Sequence, residues 1–165
     1  MDIEQTFDIY EAKANVKSAL SATSNWRQNA AEDYAFMQGK QWEDADLKKM
    51  REAGRPAITI NRIRATVNLL CGYASQNETE PDFLPRSEED DRISRVAKGI
   101  TKYCLDRAHY QRNKGKCFRD KIICGLANYW VSYEFDYTKL DGAIKIDRVS
   151  PFDVFVDPES TEENL

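Results

Sequence analysis

The sequence predicts an α+β fold, mainly helical over its N-terminal two-thirds and followed by a small antiparallel β-hairpin or three-stranded sheet. Apolar residues recur near helical spacing from residue 9 to residue 128. The period then drops to two over residues 129–137 and 143–149, on either side of Asp141-Gly142. With 165 residues, 41% of them hydrophobic, the chain can bury one modest core or a core with a protruding arm.

Each element has its own local signal. Residues 1–37 read as a long helix or arm, in which Val16, Ala19, Leu20, Thr23, Trp26, Ala30 and Phe36 fall on one helical stripe and Gly39 supplies the stop. A helical core is expected over residues 38–128. Its first helix, residues 44–53, carries acids early and Lys48, Lys49 and Arg51 late, as the helix dipole favours, with Gly54 just past its end. Pro56 forbids continuation, and residues 57–60 read as an extended link. Asn61 is the expected N-cap of a helix to about residue 75, whose scant polar face predicts that it is the most buried helix. Residues 76–87, with Asn77, Pro81 and Pro85, read as a loop.

Glu88, Glu89, Asp90 and Asp91 form the acidic first turn of a long helix to about Tyr110, striped by Ile93, Val96, Ala97, Ile100, Tyr103, Cys104 and Ala108. A break over residues 111–115 leads to a fifth helix carrying Phe118, Ile122, Ile123 and Leu126. The hairpin or sheet is expected over residues 129–158, with Val154, Phe155 and Val156 as its third strand. An acidic tail, residues 159–165, contains no closing element, so a continuing gene product is expected.

The net charge of −4 supplies no global basic field, so any binding of nucleic acid or membrane must be local. No apolar run approaches the roughly 18 to 20 residues that span a bilayer. The start, Met1-Asp2-Ile3-Glu4-Gln5, is acidic where a signal peptide would be basic, which predicts a soluble protein made in a cytoplasm, without a membrane partner. Cys71, Cys104, Cys117 and Cys124 lack the paired spacing of a zinc site and read as free, buried thiols.

Catalytic patterns are lacking. There is no Gly-rich phosphate loop and no Gly-x-Ser-x-Gly elbow, and the single histidine, His109, lies at a helix end where the dipole favours it. Glu134, Asp136, Asp147, Asp153 and Asp157, with Lys145 nearby, could gather around a magnesium ion, but solvated strand faces and turns account for them. Neither an enzyme nor a cofactor is expected. The main electrostatic feature is Arg107, His109, Arg112, Lys114, Lys116, Arg119 and Lys121, interleaved with Tyr103, Tyr110 and Phe118. Such a block fits a solvated face, a contact with the acidic residues 88–91 of a neighbouring subunit, or phosphate contacts with DNA.

Several short motifs follow one another in a specific order. Gly39-Lys-Gln-Trp42 precedes Gly54-Arg55-Pro56 and Ile58-Thr-Ile-Asn61-Arg62-Ile63; then come Cys71-Gly72, Asn77 and Phe83-Leu84-Pro85. Gly125 stands before an aromatic strand, followed by Val149-Ser-Pro151-Phe152 and Val156-Asp157-Pro158. Together, over residues 26–160, they resemble the opening portion of the portal proteins, or head-to-tail connectors, of short-tailed bacteriophages. Ala127 departs from the pattern, where a second glycine after Gly125 is expected.

The resemblance implies a structural, non-enzymatic subunit of a ring, commonly a dodecamer, set at the portal vertex of the virion after assembly in the host cytoplasm. Double-stranded DNA would pass non-specifically through the ring, driven by the terminase large subunit, with capsid, scaffolding and tail adaptor proteins as further partners. It also implies that this portion is wing-like, packed against neighbours and capsid. The alternative is a nucleic-acid-binding module built on the basic block.

Overall fold

Local side chains explain where the helices start and stop. The structure, a computed structural model, describes residues 8–77, 79–87, 90–137 and 141–160. Asp8 caps α1 (Ile9–Ala22), its carboxylate accepting from the Tyr10 amide at 2.8 Å. After the single non-helical residue Thr23, α2 (Ser24–Gln38) runs to Gly39, which takes a φ of 110°. The continuous helix expected before Gly39 is therefore two helices. The Thr23 hydroxyl donates to the Ala19 carbonyl at 2.7 Å and accepts from Arg27 Nε at 3.0 Å, local bonding of the kind that bends or interrupts a helix.

α3 (Asp44–Glu52) ends as expected: Gly54 has a φ of 65°, and the Arg55 amide reaches back to the Met50 carbonyl at 2.9 Å. Asn61 caps α4 (Arg62–Gln76) by accepting from the Arg64 amide at 3.0 Å. The expectation that this helix is the most buried is wrong. Only Val67 is buried, while Leu69 and Tyr73 are 71% and 68% exposed. Its shielded positions are Val67, Cys71 and Ala74, a narrow strip of small side chains facing the sixth helix.

α5 (Asp91–Arg107) has no buried residue, and Ile93, Val96, Ile100 and Tyr103 of its apolar stripe are exposed. Glu88 and Glu89 lie outside the described residues. The chain reverses at Ala108 and His109, the latter in the left-handed region with a φ of 50°. α6 (Tyr110–Cys124) thus starts earlier than expected, with Gly115 inside it. Histidine is among the non-glycine residues more tolerant of this conformation, so the reversal uses no glycine. Gly125, at a φ of 80°, ends α6.

β1 (Asn128–Asp136) and β2 (Asp141–Val149) pair antiparallel from Asn128–Val149 to Asp136–Asp141. The hairpin alternative therefore holds, and the third strand over residues 154–156 does not form in the two-stranded sheet. Pro151 opens a 3-10 turn (Pro151–Asp153) that redirects the chain onto α2. There the carbonyls of Phe152 and Val154 accept the two Nη atoms of Arg27 at 2.5 and 2.8 Å, bonds that a sheet ladder would otherwise claim.

α6 is the hub, touching α2, α4, α5 and β2. The buried residues are mostly small: Ala19, Ala30, Val67, Cys117, Cys124 and Pro151, with Asp120 among them. Large apolar groups are displayed on α4, α5 and the hairpin. No helix among the described residues is long and apolar enough to cross a membrane.

Candidate functional site

The basic block lies on the hub helix, and helical periodicity divides it. Asn113, Cys117, Asp120 and Cys124 form the inward face of α6 at intervals of three or four residues. Arg112, Lys116 and Arg119 fall on one flank of that face, Lys114 and Lys121 on the other. Neighbours occupy three of the block's six lysines and arginines. Arg107 pairs with Asp141 of the hairpin at 2.7 Å, which raises the guanidinium pKa. Arg119 donates to Asn68 of α4 at 2.6 Å, with its Nε buried and unpartnered among the described residues. Lys114 lines the crevice between α4 and α6 with Cys71, Ala74 and Phe118.

Arg112, Lys116 and Lys121 are exposed and form no ion pair among the described residues. Of the interleaved aromatics, Phe118 fills the α4–α6 crevice and Tyr110 stacks against Tyr129 at 6.0 Å, leaving Tyr103 open to solvent. His109 serves as the turn between helices.

The strongest polar constellation was not anticipated from the sequence. Asp120 is 4% exposed and meets Arg148 of β2 through both carboxylate oxygens, the second bond being Nη2 to Oδ1 at 3.0 Å. Tyr34 of α2 donates its hydroxyl to Asp120 Oδ1 at 2.7 Å, and the Cys124 thiol donates to the Asp120 carbonyl at 3.2 Å. Trp26 Nε1 donates to the Cys124 carbonyl at 3.2 Å, while the rings of Trp26 and Tyr34 lie against Phe152. One carboxylate thus joins α2, α6 and the hairpin. Its sequence signal is an acid placed on the Cys117–Cys124 stripe of a helix, where only a paired charge is tolerated.

Electrostatics make this network a fastener. Burial, and then the adjoining Asp120 carboxylate, push the Tyr34 phenol far above its ordinary value, and the Asp120 hydrogen bond raises Arg148. Burial likewise raises the Cys117 thiol, and burial with the neighbouring Cys117 raises Tyr129. These phenols and the Cys117 thiol are held protonated, and the carboxylate is occupied by a guanidinium. Among the described residues no three His, Cys, Asp or Glu side chains gather as a metal ion requires. Glu134 pairs instead with Lys145 across the hairpin.

The motif residues serve mainly as junctions. Asn61 Nδ2 donates to the Met37 carbonyl at 2.8 Å while its Oδ1 caps α4, so one amide joins the end of α2 to the start of α4. Gly39 lies beside it, with room for a Cβ 3.6 Å from Asn61 Nδ2 but with a φ that other residues rarely adopt. Trp42 is half-buried in the turn before α3; Gly54, Arg55 and Pro56 form the exposed stop after it. Gly72 sits within α4 with open space around it, and Pro85 is exposed. Gly125 closes α6 and Pro151 is fully buried. Asp157 accepts from the Glu159 amide at 3.0 Å, and with Pro158 it borders an open cleft of about 270 Å³ against α1.

The model of the family described as phage P22-like portal protein matches residues 13–165. A portal protein of Helicobacter pylori bacteriophage KHP30 is 24% identical over 131 residues, covering 78% of this chain and 21% of that protein. The chain spans about a fifth of the length of this curated relative.

Proposed function

Because the chain belongs to the phage P22-like portal protein family, a structural family, we propose that it is the wing-like portion of a portal-ring subunit. Copies close into a ring, commonly a dodecamer, that forms the DNA entry and exit conduit at one capsid vertex. The ring docks the terminase motor on one side and tail adaptor proteins on the other, and it contacts capsid and scaffolding proteins around its rim. The observation that carries this reading is the family match over residues 13–165. An exposed apolar surface on α4, α5 and the hairpin supports it, as expected of a subunit that assembles.

The fasteners found in the fold suit such a role. A ring wall acts through its shape, and Asp120 with Arg148, Asn61 and Arg27 hold helices and hairpin at set angles without offering a reactive group. Electron microscopy and light scattering of the chain in its complete reading frame should show closed rings at high protein concentration. A chain that stays monomeric there contradicts the proposal.

The second reading, a nucleic-acid-binding module, draws on Arg112, Lys116 and Lys121, which are exposed and form no ion pair among the described residues. Neutralising Arg112 and Lys116 should lower the slope of log affinity for duplex DNA against log salt by about 2 if both contact phosphates. An unchanged slope removes these two residues from any DNA contact.

A further inference from the structure

We propose that a basic arm of one copy, residues 48–64, docks in the acidic cleft between α1 and residues 155–159 of a second copy, an inference that rests on the portal reading. The arm stands out from the fold. α3 makes at most slight contact with the other helices and strands, and all of residues 51–60 are exposed. Its base is fixed by Asn61, which donates to the Met37 carbonyl.

The arm carries six Lys and Arg, at positions 48, 49, 51, 55, 62 and 64, against the single acid Glu52. Of these cations only Lys49 is ion-paired among the described residues, with Asp46 at 3.1 Å. The link from Arg55 to Ile60 runs without turn or bend, so Ile58 and Ile60, 70% and 72% exposed, fall on one side of it. Arginines and bare isoleucines together narrow the partner. Duplex DNA would satisfy the guanidinium groups and leave the isoleucines in water, whereas a protein cleft with apolar walls and an acidic rim covers both.

The chain itself has such a cleft. Val16, Ala19, Phe155 and Pro158 give it apolar walls, Asp157 and Glu159 give it an acidic rim, and its volume of about 270 Å³ leaves room for branched aliphatic side chains. Residues 150–160 hold three Asp and Glu and no Lys or Arg. Neither Asp157 nor Glu159 forms an ion pair among the described residues. Nearby cations do not neutralise the rim. Lys13 and Lys17 fall on the side of α1 opposite the cleft-lining Asn15, Val16, Ser18 and Ala19. Arg27 is engaged with the Phe152 and Val154 carbonyls and does not line the cleft.

Arm and cleft belong to opposite ends of α2, which is about 22 Å long. Arg27 in its first turn ties down the segment that leads into the cleft, and the Met37 carbonyl in its last turn holds the base of the arm. No arm residue lines the chain's own cleft. Seating the arm of one copy in the cleft of the next is therefore a head-to-tail contact, the kind that generates rings when the rotation closes. An arm-to-arm contact about a two-fold axis would instead set like charges together.

The test places a photoreactive benzophenone amino acid at position 58 of the whole chain, mixes isotopically labelled and unlabelled copies, and identifies the crosslinked peptides by mass spectrometry. The expected product joins position 58 to residues 15–19 or 155–159 of the other copy. In parallel, Arg55→Glu with Arg62→Glu should weaken self-association at least tenfold in sedimentation velocity, as should Asp157→Lys with Glu159→Lys, each with unchanged circular dichroism. All four changes in one chain should restore most of the association, because the reversed arm again meets a cleft of opposite charge. Crosslinks to the same copy, to a different surface of the other copy, or to added duplex DNA overturn the proposal. So does an association constant that either reversal leaves unchanged or that their combination fails to restore. Copies that associate normally through another surface defeat only this docking, whereas copies that never associate defeat the portal reading with it.

Discussion

Asp120 joins α2, α6 and the hairpin through one carboxylate, and its removal gives a sharp test at the scale of one residue. Asp120→Ala leaves Arg148 and the Tyr34 hydroxyl without their acceptor in a site where the carboxylate was 4% exposed. Breaking a buried pair from one side costs about 3–5 kcal/mol; since the Arg148 side chain retains 32% exposure and can rehydrate, about 3 kcal/mol is expected. In thermal unfolding that is a drop in Tm of about 6–12 °C. A change below 1 kcal/mol would mean that the pair is not buried in solution.

The phenol beside it gives a pH dependence. Tyr34 keeps its proton in the folded chain to a pH well above that at which the unfolded chain loses it. Its contribution is therefore full below the ordinary tyrosine pKa of about 10 and is lost as pH rises above that value. Urea midpoints should fall between about pH 10 and pH 12, and Tyr34→Phe should flatten part of that fall, the remainder coming from Tyr129, which is raised in the same direction.

Among the elements, those governed by backbone chemistry were legible. Gly39 and Gly54 take the left-handed stops, Asn61 caps α4, and the change from helical to alternating period marks the entry to the hairpin, although Gly125 stops the last helix short of Leu126, where the apolar pattern had carried it. Burial was not legible, because the 3.6-residue period of α5 is genuine while the surface that would cover it is absent from the chain's own core. The interrupted α1–α2 and the missing third strand share another cause, the competition of side chains for backbone partners. Arg27 takes the Phe152 and Val154 carbonyls from 125 and 127 residues away, a pairing that no local pattern announces. Asp120 was hidden for a similar reason, its partners being 86 and 28 residues distant.

The Arg27 tie gives a prediction at this scale. Arg27→Lys keeps the charge but cannot hold two carbonyls with a planar fork, so the segment after the 3-10 turn should loosen while the hairpin persists. Amide exchange over residues 152–156 should rise at least tenfold, with a loss of about 1–2 kcal/mol in global stability. Equal loosening of residues 128–149 would instead make hairpin and segment one cooperative unit.

For the whole molecule, surface area sets the expectation. The folded chain exposes 13933 Å², whereas a compact monomer of its 19.0 kDa would expose about 8,400 Å² and its unfolded chain about 27,500 Å². Folding therefore hides about half of the unfolded surface, against nearly 70% for an ordinary domain of this length. Because the urea m-value scales with the area exposed on unfolding, the monomeric chain should give an m-value about 0.7 of that of a compact domain of equal length. Association adds the missing burial, so the transition should sharpen and its midpoint climb with protein concentration. Urea titrations at two concentrations, one kept monomeric by sedimentation, read both effects. A full-sized m-value in the monomer would mean that the apolar faces of α4, α5 and the hairpin are covered within a single chain. They would then be unavailable to a neighbour in a ring.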